Sequence, residues 1–407
     1  MMNDYDSQYF RQFIADNSGA NPSELRLKYH SNDGKTDYAF AITQIECRRK
    51  YARKLHDTLS RADNFLFGSE LSGEQCTSDN IAKLHADIID ATGSTVVDFT
   101  AGLGIDAMHI ARKAAVVTAI ERQPLLAELL GHNARDLGID NINIVCGDCT
   151  RLLADGALHG DIAFIDPARR ASDGSRVFAL SQCMPSVTDM ADGFRSNFKM
   201  LYIKMSPMLD IARTVSELGD GVTDIYAIGT QTECLELFAR QELGADCHDN
   251  TLIHSVTVTS ENGYNEMTFD PDDERDAPIP VTGTPRIGDY VYEPHPAVTK
   301  AGAFKLFAYR YSLKKLQNNT HIYFSDKFCP EADANIRKVT DIIPWQSKNL
   351  KRLKSRYPML DIAVRNFGMS AEALRAKLGV KPATSPRLLG VTDCNGNRLL
   401  LILDEKL

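Results

Sequence analysis

Five short apolar runs between residues 95 and 207 most constrain what this chain can become: TVVDFT (95–100), AVVTAIE (115–121), INIVCGD (142–148), DIAFIDP (161–167) and MLYIKMSP (200–207). Amphipathic stretches such as DAMHIARKA and PLLAELLGHNARDLG lie between them. Strand alternating with helix is the pattern of a parallel sheet covered on both faces. Near-continuous apolar strands fit burial on both sides. HSVTVTS (254–260) and EMTFD (266–270) follow one another with no helix between, which predicts an antiparallel end to the sheet.

The strand ends carry the chemistry. Asp98 closes the first run and is followed by Thr100, Gly102, Gly104 and Asp106 at a helix start. Glycines let backbone approach a ligand, and a helix start offers free N–H groups. The spacing is D-x-x-x-G-x-G, which lacks the third glycine of a dinucleotide fingerprint. Glu121, next to Arg122, closes the second run, Asp148 the third and Asp166 the fourth. Parallel sheets bind ligands at these carboxyl ends. A carboxylate after the second strand suits a ribose diol, and one after the third suits an exocyclic amine.

Upstream, YAFAITQIECRRKYARKLHDTL (38–59) has helical spacing through Ala41, Ile42, Ile45, Tyr51, Ala52 and Leu55. TSDNIAKLHADIIDATG (77–93) predicts a helix capped by Thr77 or Ser78 and closed by Gly93. Downstream, DPDDERDAPIP (270–280) reads as a linker. AVTKAGAFKLFAYRYS (297–312) reads as helical, and RLLGVTD and RLLLILD as strands around an Asn-Gly turn.

Charge is unevenly placed. The net charge is −8, yet residues 301–407 hold 19 Lys and Arg against 9 Asp and Glu, a local +10. Such a basic tail can steer a polyanion. WQSKNLKRLKSRY (345–357) gathers Lys351, Arg352, Lys354 and Arg356, with Trp345 and Tyr357 nearby. Core packing is the first expectation for Trp345.

No apolar run approaches the ~20 residues of a membrane span. The polar, acidic opening MMNDYDSQYF has no basic and no apolar region, so no signal peptide is expected. Nine scattered cysteines read as reduced thiols, so a cytoplasmic protein is expected. CGDC (146–149) is unpaired with a second such motif, no His-x-x-x-His spacing occurs, and no metal is expected.

The ordered set of strand-end acids resembles class I S-adenosylmethionine-dependent methyltransferases. The resemblance implies S-adenosyl-L-methionine as cofactor, with Asp98, Gly102 and Gly104 at its methionine portion, Glu121 at the ribose and Asp148 at the adenine. EQCTSD (74–79) resembles the segment preceding that fold, which implies Gln75, Thr77 and Ser78 at the cofactor's amino-acid end. Amino-directed members end the fourth strand in Asp, Asn or Ser, then Pro-Pro and an aromatic. This chain has Asp166 and Pro167, then Ala168, Arg169 and Arg170. The acceptor is kept and the stacking ring is not, so Arg169 is expected to hold a base or phosphate, and Arg170 a phosphate. Lys204 and Ser206 are expected to flank the substrate.

A longer match covers most of the chain. EQCTSD, DPARR, KMSPMLDI, ECLELF, YEPHPAVTKAG and VRNFGMSAEALRAKLG resemble a Bacteroidetes-type bacterial methyltransferase family of unassigned substrate. It implies a helical region over 1–80, a Rossmann-like class I methyltransferase domain over 81–269, a ferredoxin-like domain over 270–334 and a THUMP-like, RNA-binding domain over 335–407. The expected fold class is therefore α/β with a C-terminal α+β part. The expected activity is methylation of a base nitrogen in tRNA or rRNA. A protein or small-molecule acceptor, and an RNA-binding protein without turnover, are the alternatives.

Overall fold

The structure, a computed structural model, describes residues 5, 7–30, 34, 36–169, 180–244, 250–259 and 263–407; of Arg169, Gln182 and Lys351 it describes the backbone only. The chain forms two compact units. The first comprises 1–223 with 239–248, the second 224–238 with 249–407.

In the first unit, α1 (Gln8–Asn17), α2 (Pro22–Lys28), α3 (Tyr38–Tyr51), α4 (His56–Arg61), α5 (Glu70–Gln75) and α6 (Asp79–Ile89) precede the sheet. Asp37 starts α3 by accepting from Phe40 N at 2.9 Å. Ala41, Ile42 and Ile45 pack among Phe10, Phe13 and Leu25, as their spacing predicted. The single helix expected over 38–59 is instead two. The break after Tyr51 brings Leu55 into a core with Phe65, Phe67 and Met108, while Ala52 stays exposed. Helix α6 ends at Asp90, not Gly93: Asp90 takes a left-handed φ of 41° and donates its N–H to Ala86. A short polar side chain tolerates that conformation better than most.

The sheet of this unit contains β1 (Thr95–Asp98), β2 (Val116–Glu121), β3 (Ile142–Cys146) and β4 (Ile162–Ile165). Two-residue strands β5 (Ala168–Arg169) and β6 (Cys183–Met184) pair antiparallel, and β7 (Met200–Met205) returns to the sheet. Helices α7 (Ile105–Ala111), α8 (Pro124–Asp136), α9 (Cys149–Ala154), α10 (Ala191–Asn197) and α11 (Ile211–Leu218) alternate with them. The order is β3-β2-β1-β4-β7, all parallel. Progression reverses between β1 and β4, which opens a crevice at their carboxyl ends.

The second unit begins within β8 (Val222–Gly229); β9 (Cys234–Glu242), β10 (Leu252–Val258) and β11 (Tyr264–Phe269) follow. β10 pairs parallel with β8 and antiparallel with β11, the antiparallel end predicted from sequence. The acidic stretch read as a linker contains a helix, α12 (Pro271–Asp276), started by Asp270 with Pro271 at its first turn. Glu274 accepts from the N–H groups of Lys305 and Leu306 at 2.8 and 2.9 Å, which ties α12 down.

Beyond it come β12 (Tyr290–Pro294), α13 (Pro296–Ala301), α14 (Phe304–Arg310), β13 (Lys314–Gln317), β14 (Thr320–Ser325), β15 (Ala334–Pro344), α15 (Ser347–Arg356), β16 (Met359–Arg365), α16 (Ala371–Leu378), β17 (Lys381–Thr392) and β18 (Arg398–Leu403). The helical run expected over 297–312 divides at Gly302, whose φ of 83° ends α13. Seven strands form one sheet, β13-β14-β12-β15-β18-β17-β16. β17 and β18 pair antiparallel around 393–397, where Asp393 accepts from the N–H groups of Asn395 and Asn397.

Candidate active site

The crevice collects most of the strand-end residues singled out in the sequence. Asp98 is 1% exposed and, among the described residues, accepts one hydrogen bond, from Thr100 N at 3.0 Å. Burial pushes its carboxyl well above the usual range; the Thr100 bond opposes this, and the charges of Asp106, Asp166 and Glu121 add to it. Thr100 also accepts, through Oγ1, the N–H of Asp166 at 2.7 Å, stitching the ends of β1 and β4 together.

The two glycines have different tasks. Gly102 (φ 55°) faces open space where a side chain would begin, and its N–H donates to Glu121 Oε2 at 3.0 Å. Gly104 (φ 82°) lies against Leu130, whose Cγ would be 2.6 Å from an added Cβ. One keeps the crevice open and the other lets α7 pack on α8. Glu121 is buried, and its other oxygen accepts from Gln123 N at 2.7 Å. Each carboxylate oxygen has a second lone pair for a ligand hydroxyl. Asp148 is exposed and caps α9 through Thr150 N at 2.9 Å.

From the other side comes a chain of polar groups. Lys204, at the end of β7, donates to Asp166 Oδ2 at 2.8 Å and to Thr77 Oγ1 at 3.1 Å. The Thr77 hydroxyl donates to Asp106, and His85 Nδ1 meets the other Asp106 oxygen at 2.8 Å. Burial would raise the Asp106 carboxyl, but His85, Lys204 and Thr77 outweigh it and hold it down to about 2. The series runs from fully buried His85 to Asp166, whose side chain is 38% exposed.

Several expectations need restating. Thr77 does not cap α6; its hydroxyl is committed to Asp106. Ser78 occupies the cap position without a side-chain bond to the helix. Gln75 and Arg122 are exposed, Pro167 is buried, and Ser206 Oγ accepts from Met208 N at 3.3 Å. The side chain of Arg169 and all of Arg170 lie outside the described residues. His85 was not foreseen: its place on the apolar face of α6 makes it look like a core histidine. Asp79 forms a second buried group, accepting from Thr58 N at 2.9 Å with His109 Nε2 at 3.4 Å. Burial pushes the Cys149 thiol of CGDC up to about 11, which keeps it protonated near neutrality.

In the second unit, the backbone of Lys351 and the exposed Arg352, Lys354 and Arg356 lie on α15, whose Leu353 is buried. Arg356 pairs with Asp341 at 2.7 Å. Trp345 packs edge-on against Phe367 with centroids 5.0 Å apart, the packing role expected for it.

Comparison with known proteins agrees with this architecture. Residues 290–331 match a ferredoxin-like domain family and residues 336–405 a THUMP domain-like family. The crystal structure of a protein from Porphyromonas gingivalis W83, described as a proposed methyltransferase, superposes with a TM-score of 0.86 at 29% identity, covering 100% of this chain and 99% of that one. An uncharacterized RNA methyltransferase of Gloeobacter violaceus is 30% identical over 175 residues, 40% of this chain and 35% of that protein. This chain therefore spans about a third of the length of that curated relative. The ferredoxin-like and THUMP-like parts implied by the sequence are both present, on a methyltransferase-type fold.

Proposed function

From a methyltransferase-type fold carrying ferredoxin-like and THUMP-like domains, we propose that this protein is an S-adenosyl-L-methionine-dependent methyltransferase acting on a base nitrogen of structured RNA, tRNA or rRNA. The observation that carries this reading is Asp166. It stands at the carboxyl end of β4, beside the reversal point of the sheet, half-exposed and oriented by Thr100 and Lys204.

The crevice suits the cofactor. Gly102 leaves room at the mouth, Asp98 offers a carboxylate to a cationic amine, and Glu121 sits one strand over for a diol. Thr77, Asp106 and Lys204 form a fixed polar wall for an amino-acid end. S-adenosyl-L-methionine supplies an electrophilic methyl group when bound. Asp166 accepts a hydrogen bond from the target N–H, which turns the nitrogen lone pair outward, and takes the proton released once the nitrogen is methylated. Lys204 holds Asp166 in place through their ion pair. The RNA assignment draws on the local +10 charge, the THUMP-like match and the description of the Gloeobacter relative.

The test is methyl transfer from labelled S-adenosyl-L-methionine to total RNA of a strain lacking the gene, size-fractionated afterwards. Label in one RNA class is the expected result, and nuclease mapping then names the atom. No label, with cofactor binding intact by calorimetry, rules out RNA as the acceptor.

A further inference from the structure

A cleft of about 310 Å³ lies within the second unit, between the ferredoxin-like and THUMP-like stretches. Its walls come from the β12–α13 junction, the start of β14 and the end of β16. Two buried polar atoms in residues of this lining, Thr320 Oγ1 and His321 Nδ1, have no hydrogen-bond partner among the described residues. Thr320 is 3% exposed. Buried polar atoms without partners are uncommon and costly. Strand side chains alternate in direction, so His321 turns to the opposite face, where its ring stacks on Phe304 at 3.7 Å, and it is the Thr320 hydroxyl, on the face of Glu293 and Arg365, that points to a missing ligand.

The lining specifies the chemistry of that ligand. A hydroxyl both donates and accepts, as do the carboxamides of Asn319 and Asn366 in the same cleft. Such mixed groups suit the edge of a nucleobase; a carboxylate or phosphate alone only accepts. Arg365 lies at the rim with its side chain half-exposed, 3.5 Å from Glu293, and offers a guanidinium to a phosphate. Glu293 is itself shared with Arg387 at 3.4 Å, so its charge does not repel an anion unopposed. The volume fits the small end of small-molecule sites.

We propose that this cleft binds one nucleotide, its base against Thr320 and its phosphate on Arg365. The nucleotide comes either from an RNA strand or from the free pool. Only the first source rests on the RNA reading above; the chemistry of the cleft does not.

Calorimetry on the full-length protein tests this with AMP, GMP, CMP and UMP, and with single-stranded oligoribonucleotides. At least one mononucleotide binds, and Arg365→Ala weakens it about tenfold, the scale of one charge-assisted contact. Thr320→Val keeps the shape, removes the unpaired hydroxyl, weakens binding severalfold and leaves Tm unchanged or higher. Tighter binding of an oligoribonucleotide identifies RNA as the source; equal binding identifies the free nucleotide. No binding, or binding indifferent to both variants, overturns the proposal. Methyl transfer to RNA is measured on the same samples. Variant-sensitive nucleotide binding without RNA methylation would sink the RNA reading and leave the cleft standing. RNA methylation with variant-indifferent binding would do the reverse.

Discussion

Each unit buries a histidine among carboxylates, and the two arrangements differ in kind. In the second unit His254 lies between Asp224 and Glu266, 2.8 Å from each through opposite ring nitrogens, with Tyr226 stacked on it at 4.1 Å. In the first, His85 begins a series through Asp106, Thr77 and Lys204 that ends at half-exposed Asp166, beside an Asp98 that no ion pair reaches among the described residues. The His254 cluster closes on itself and holds strands β8, β10 and β11 together. The His85 series leads to an opening and leaves one acid without a cation. Buried charge is arranged for cohesion in one place and for a visitor in the other.

The strongest way to break this contrast is Asp166→Ala. Methyl transfer should fall by about a thousandfold, while S-adenosyl-L-homocysteine still binds by calorimetry and Tm barely moves. Undiminished turnover would remove Asp166 from the chemistry.

His254→Ala should do the opposite, costing about 3 kcal/mol of stability in chemical denaturation with cofactor binding unchanged. Its pH dependence follows from the same bonds. Burial disfavours the His254 charge, but the bonds to Asp224 and Glu266 prevail and raise its pKa. That stabilisation is complete below about 6.5 and is lost as pH rises through the raised value. Glu266 is held low, chiefly by its bond to His254, so its share is lost only as pH falls below about 4.3. The decline in stability above pH 6.5 should flatten in the variant.

A smaller effect is expected at Asp98. Its raised pKa means that holding it ionised destabilises the fold as pH rises above the ordinary carboxylate value. Asp98→Asn should therefore raise the Tm of the free protein and weaken cofactor binding by roughly tenfold. A lowered Tm would show that Asp98 is structural.

The smallest belongs to α15. The pair of Arg356 with Asp341 is largely exposed on the arginine side, so Arg356→Ala should cost less than about 1 kcal/mol. Its effect should appear in RNA binding, as a reduction of about one in the salt slope.

The sequence made the open cluster far more legible than the closed one. Asp98, Glu121, Asp148 and Asp166 announce themselves because each ends an apolar run, and the run fixes where it stands in a parallel sheet. Lys204 was placed by the same logic, although its bond to Asp166 was not. His85 and His254 were invisible for a shared reason. Each sits at an apolar-face position of its element, and the partners that give it meaning, Asp106 and Asp224, are 21 and 30 residues away in the chain. Local composition also misled over 270–280. Prolines and acids suggested a free linker, but Asp270 and Pro271 are equally good helix starters, and only the contact to α14 decides between them.

One strand has a consequence for how this protein can be rearranged. β15 pairs with β12 through Ala334–Lys338 and with β18 from Val339 onward, so one continuous backbone serves the ferredoxin-like stretch at its start and the THUMP-like stretch at its end. The two modules are separable as sequence but not as objects. A graft that carried only one would leave the other with a bare sheet edge, open to pairing with any passing strand. Inheritance and engineering alike are bound to move them as a single cassette.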